Sequence, residues 1–288
     1  MIVAFDGSPD AVVPVALGAV VVVGMVVLAG IRRSALVNGV IVTGSLVALA
    51  AFVAAGAPEV SGELLAPTGA AAAGLRGWLE AAALMFVAYT GYGRIATLGE
   101  EVREPRRTIP RAIIATMVIT IVLYTAVATI GVGTVGADRL AAATEGTAAP
   151  LAAVAIGFGA PAIARVVEFG AVAAMLGVLL NLILGVSRVV LAMGRRHDVP
   201  DAFSRIDAAG TTPRPAVIAV VIVIGALTLL GDVRTTWTFS AMTVLVYYAI
   251  TNLSALRLPP VDHRFPRWIA ATGLVACLSL AAFVDWRA

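Results

Sequence analysis

Apolar runs about as long as a bilayer is thick recur along the whole 288-residue chain, and no other feature constrains its fold as strongly. The hydrocarbon core is about 30 Å thick, and a helix rising about 1.5 Å per residue crosses it in roughly 20 residues. Amides and carbonyls buried there meet no water, so each run must close its own backbone hydrogen bonds, as a helix does. Runs with little or no charge occupy 11–30, 34–57, 112–136, 169–194, 215–231, 235–256 and 268–284, and a charge-interrupted one lies at 77–99. They predict an all-α integral membrane protein with about eight transmembrane helices, forming a single transmembrane domain over 1–288. A further uncharged stretch, 146–164, is broken by Pro150, Gly157, Gly159 and Pro161 and reads as an external re-entrant or interfacial segment.

Composition agrees with this reading. The chain is 60% hydrophobic and 13% charged, against roughly 45–50% and 25% in soluble domains. That balance excludes a large soluble core and a disordered chain, and the lone Cys277 excludes an internal disulfide. All 20 basic residues are arginine, and they stand in short tracts between apolar runs rather than along one stripe. The expected partner of this charge is the lipid bilayer surface and not nucleic acid.

Short cytoplasmic loops collect arginine, so the tracts set orientation. Eight crossings put Arg32, Arg33, Arg103, Arg106, Arg107, Arg111, Arg195, Arg196, Arg205, Arg214, Arg257, Arg264 and Arg267 on one side, which is then cytoplasmic. Asp6, Asp10, Glu59, Glu63, Asp138, Glu145 and Asp232 fall opposite, with Arg76, Arg139, Arg165 and Arg234. A ninth crossing at 146–164 would force the 195–214 loop outside. An even count also leaves both ends outside, and residues 1–10 show no basic signal region, so preceding sequence is expected.

In transporters built on discontinuous helices, the substrate lies where a span is interrupted near its middle. The 77–99 run fits, reading Phe86-Val87-Ala88-Tyr89-Thr90-Gly91-Tyr92-Gly93-Arg94 about its midpoint. The glycines tolerate non-helical dihedrals, and the tyrosines favour a polar neighbour. A break there presents a carbonyl end suited to an ammonium group and an amide end suited to an anion, a pairing that favours a zwitterion. Alternatively the glycines serve only close helix packing. Downstream, residues 100–112 alternate acids and arginines before a new span, with Pro110 fit for a first helical position. Arg94 and Glu101, seven residues apart, are candidate partners in an inner gate, and the plainer reading is a solvated connector.

Other polar residues in the runs carry less. Asn181 lies near mid-membrane, where it needs a neighbouring helix or a cavity, and is a candidate site residue. Arg188 either snorkels or bonds carbonyls of a broken helix. Ser45 and Thr43 sit mid-run and bond their own preceding turn in the plainer reading. Glu80 and Glu168 lie near external ends, where solvation explains them. Neither an acid nor a histidine stands at mid-depth, so no proton carrier is evident. His197 and His263 fall in loops without ligand spacing, so no metal and no cofactor is expected, nor an enzyme motif.

The stretch FVAYTGYGRIATLGEEVREPRRTIPRA, 86–112, resembles the sixth-helix region of amino acid permeases of the amino acid–polyamine–organocation superfamily. LGVSRVVLAMGRRHDVP, 184–200, is similar to that family's eighth helix and following loop, and YYAITNLSALRLP, 247–259, to the end of its tenth. The resemblance implies a LeuT-like inverted-repeat transporter fold, with the eight spans matching helices four to eleven of twelve. It implies amino acid transport across the plasma membrane by alternating access, the substrate being an amino acid or related amine. Carbonyls at Phe86, Ala88, Tyr89, Thr90 and Gly91 would hold its ammonium group, and Ser45 takes a position where some relatives carry a coupling lysine. The helix-one turn that clamps the carboxylate has no counterpart here. A second chain or homo-oligomer supplying helices, and an inactive fragment acting as a membrane scaffold or partner subunit, are the alternatives this raises.

Overall fold

The structure is a computed structural model that describes residues 12–65, 74–92, 95, 102–146, 149–207, 212–230, 233–259, 261 and 265–283. Among them it is all helical, and prolines open several of the helices. Pro105, Pro150 and Pro161 take first helical positions, where a fixed φ helps and a missing N–H costs nothing. The ten α-helices are α1 Val12–Leu28, α2 Ile31–Gly56, α3 Gly74–Phe86, α4 Pro105–Val135, α5 Ala137–Gly146, α6 Pro150–Gly157, α7 Pro161–Arg195, α8 Arg214–Leu230, α9 Val233–Leu256 and α10 Arg267–Ala281. By length and composition, four helical stretches suffice to cross a membrane: Arg33–Glu59, Pro105–Val135, Pro161–Arg195 and Phe239–Leu256.

Several boundaries differ from the sequence reading, two of them at prolines. α4 starts at Pro105, with Pro110 inside it, because the Glu104 carbonyl already accepts from the amides of Arg107 at 2.9 Å and Thr108 at 3.0 Å. The 146–164 stretch is divided: α6 is an eight-residue helix, too short to cross a bilayer, and after Gly159, at φ +82°, Pro161 opens α7.

The chain forms two compact units, residues 1–66 with 94–230 and residues 67–93 with 231–288. In the first, α2 and α7 run antiparallel along a seam of small residues. A Cβ built on Gly170 would lie 2.5 Å from the Ala48 Cβ, and one on Gly177 would lie 2.7 Å from Ile41 Cγ2. Glycine lets the two backbones approach, the usual device where no hydrophobic effect drives helices together. Phe52, Ile130, Ala164 and Val167 bury the short α6 through Ala152, Val154 and Ala155. Val23 and Val27 of α1 pack with Leu180 and Ile183 of α7 and Val217 and Val220 of α8. At the α1–α2 corner Gly30 adopts φ +109°, and buried Ser34 donates to the carbonyls of Gly30 at 3.2 Å and Val26 at 3.3 Å. Ile114, Val118, Ile119 and Val122 of α4 are exposed, a surface that suits lipid.

The second unit joins α3, α9 and α10 around Ala83, Leu245, Tyr248, Ala249 and Cys277. Gly273 of α10 faces Asn252 of α9, whose Oδ1 would lie 2.7 Å from an added Cβ. The Asn252 side chain donates to its own helix, at the Tyr248 carbonyl, over 2.9 Å.

Candidate functional site

The helix begun at Gly74 stops at Phe86 after 13 residues, about 20 Å of rise. Its apolar run continues, but the backbone does not stay helical. Val87–Tyr89 tighten into a single 3-10 turn, Thr90 is extended at φ −84° and ψ 173°, and Gly91 takes φ +103°. The Thr90 amide donates to the Val87 carbonyl at 3.1 Å, and the Thr90 hydroxyl donates to the same oxygen at 2.7 Å. That hydroxyl meets a carbonyl the ending helix would otherwise leave to other partners.

Gly91 separates the two readings of the glycines in this span. A Cβ added there would meet nothing within 4 Å among the described residues, so close packing does not demand glycine. The dihedral does, since φ +103° lies where side chains are rarely tolerated. Phe86, Val87, Ala88, Tyr89 and Thr90 are all half-buried and Gly91 is exposed. The break is thus a partly accessible stretch of irregular backbone inside an apolar segment, an arrangement normally confined to protein-lined cavities.

Both flanks of the break rest on one side chain. The Phe86 ring stands edge-on to Tyr248, with centroids 5.7 Å apart and planes at 78°. The Tyr92 ring lies against the same Tyr248 at 5.4 Å and 33°. Tyr247 stands edge-on to Tyr248 at 5.2 Å. Sequence reasoning missed Tyr248. The signal present was the adjacent pair Tyr247-Tyr248 inside an apolar run, since a tyrosine hydroxyl placed there needs a partner.

The remaining sequence candidates fall elsewhere. Arg94 and Glu101 lie outside the described residues, as does Gly93. Ser45, Asn181 and Arg188 belong to the first unit, whereas Phe86–Gly91 belong to the second. Ser45 donates to Ile41 of its own helix at 2.9 Å and across the seam to the Gly170 carbonyl at 3.3 Å. Asn181 donates to the Asn38 side-chain oxygen at 2.8 Å and to the Gly177 carbonyl at 2.9 Å. The cost of an asparagine in an apolar helix is therefore met by a neighbouring helix. Arg188 is half-buried, seven residues before the end of α7. Among the described residues, no three His, Cys, Asp or Glu side chains gather to hold a metal.

Asn38→Ala and Asn181→Ala are each expected to lower stability by about 0.5–2 kcal/mol. The double variant should cost little more than either single one, as thermal unfolding in detergent would show. Additive losses would mean the two side chains act separately.

Comparison with known proteins extends this picture. Residues 3–286 match the family described as Amino acid permease. An uncharacterized transporter of Mycobacterium tuberculosis (strain ATCC 25618 / H37Rv) is 41% identical over 267 residues, 93% of this chain and 60% of the relative. One of Mycobacterium bovis gives the same identity and coverage. A protein of Arabidopsis thaliana named cationic amino acid transporter 7, chloroplastic, is 27% identical over 195 residues, 66% of this chain and 32% of that protein. The chain thus spans about 60% of the length of the mycobacterial relatives.

Proposed function

Because the chain belongs to the amino acid permease family, we propose that it carries an amino acid or a related amine across the plasma membrane by alternating access, with the substrate at the break between Val87 and Gly91. Family and long apolar helices together make it a multi-pass membrane protein of a transporter family. The observation that supports the site most strongly is the backbone of 86–91: a helix that stops inside an apolar run and turns through a glycine at φ +103°. The carbonyl end of α3 carries negative partial charge and suits the substrate's ammonium group. Phe86, Ala88, Tyr89, Thr90 and Gly91 are the residues of this chain assigned to that contact. Ser45 and Asn181 are assigned to holding α2 against α7, on the strength of their bonds across the seam.

The eight crossings, their positive-inside orientation and a LeuT-like arrangement belong to the same proposal. Its test is uptake of labelled amino acids into liposomes bearing the purified chain, against protein-free liposomes. Saturable uptake, competed by an unlabelled amino acid, is the expected result. No uptake above protein-free liposomes, from a monodisperse and helical protein, would favour the scaffold reading.

A further inference from the structure

We propose that Tyr248 is a positioning residue for the substrate site, its ring holding the two flanks of the helix break in one fixed relation. The proposal rests on the reading that the substrate binds at the break, and adds the side chain that gives the break its shape. Thr90 and Gly91 form a two-residue joint, and both Thr90 hydrogen bonds return to Val87 on the upstream side. The downstream flank is fixed by a ring contact instead. Phe86 is the last residue of α3 and Tyr92 the first beyond the joint, and both rings lie on the ring of Tyr248, at 5.7 Å and 5.4 Å.

A shift of either flank must break a ring contact, and aromatic contacts have a preferred geometry that fixes angle as well as distance. Tyr248 is itself immobilised. It is 8% exposed, in a cluster with Ala83 of α3, Leu245 and Ala249 of its own helix and Cys277 of α10. Three helices thus converge on one ring, and that ring touches both sides of the joint. A residue that merely filled the core would need to touch neither flank in particular.

Cys277, the chain's one cysteine, is buried in the same cluster at 4% exposure, so it reports opening of the cluster without further engineering. In liposomes bearing the whole chain, two quantities are measured: the rate of N-ethylmaleimide reaction at Cys277, and the amino acid concentration for half-maximal uptake. Tyr248→Phe keeps the ring and should move both far less than Tyr248→Ala does. Tyr248→Ala should raise each by about tenfold or more, since small misplacements of a positioned site are costly, with a smaller change in maximal rate. Phe86→Leu and Tyr92→Leu release one flank each and should raise the half-maximal concentration less, which keeps the test usable if Tyr248→Ala does not fold.

Unchanged labelling and half-saturation in Tyr248→Ala would overturn the proposal. So would a loss of maximal rate that tracks protein yield with half-saturation fixed, since that is what a core filler gives. Faster Cys277 labelling in Tyr248→Ala, in a chain that takes up no amino acid even as wild type, would sustain the clamp and remove the transport reading instead.

Discussion

Gly91→Leu is expected to cut amino acid uptake sharply while leaving a folded, membrane-inserted protein. The position is unusual because space and dihedral make opposite demands. Among the described residues a side chain would meet open space, so nothing in their packing forbids it, but φ +103° does. Holding a leucine there costs about 1–3 kcal/mol, and the chain has two ways to respond. It keeps the break and bears the strain, or it moves Gly91 toward negative φ and lets the 3-10 turn run on. The second response removes the irregular backbone that the substrate is proposed to meet. Uptake in liposomes should fall by about tenfold or more, while the melting temperature in detergent drops by an amount matching only the strain. An active Gly91→Leu protein would show that the break is not where the substrate sits.

Gly170→Ala should have the opposite character, a large loss of stability that a second change reverses. The added methyl would lie 2.5 Å from the Ala48 Cβ, well inside contact distance. Neither partner is a flexible chain end, so the helices must separate, at about 1–3 kcal/mol for overpacking. Ala48→Gly opens a gap on the other helix, and Ala48→Gly with Gly170→Ala moves one methyl across the seam. The double variant should recover most of the lost stability, a coupling that a cycle of thermal unfolding measurements reads directly. The same separation would lengthen the 3.3 Å Ser45 bond to the Gly170 carbonyl. Equal losses in the double and single variants would mean that the α2–α7 contact is not close-packed in the membrane.

Much of the architecture is legible in the sequence because hydrocarbon leaves a chain so few options. Helices stand at each of the eight apolar runs, since a long uncharged stretch has no other way to satisfy its backbone. The interruption near Ala88 is legible for a related reason, because glycines at the midpoint of a span are where non-helical dihedrals cost least. The ends of the helices are less so. Arg165 and Glu168 interrupt the uncharged window, which places the seventh helix at 169, yet the helix starts at Pro161. Hydropathy reads the buried length, and helices extend beyond it.

Pairings across the fold are hidden for a different reason. Asn38 and Asn181 are 143 residues apart, and no local pattern joins them, so a mid-run asparagine alone suggests a binding residue as readily as a structural one. Tyr248 is masked by its surroundings. In a helix whose polar residues gather on no single face, periodicity does not separate an aromatic that fills space from one that touches both sides of a break. Local chemistry thus reveals where backbone departs from the helix, and only the fold reveals what holds it there.

The most direct test of the account uses a thiol at the break. In a Cys277→Ser background, Thr90→Cys places a single reactive group beside Gly91, at a half-buried position, and its modification by a small maleimide is followed with and without saturating amino acid. If the substrate occupies the break, the amino acid slows modification severalfold, with a concentration dependence matching that of uptake. An unchanged rate, in a protein that still takes up amino acid, would place the substrate elsewhere and contradict the account.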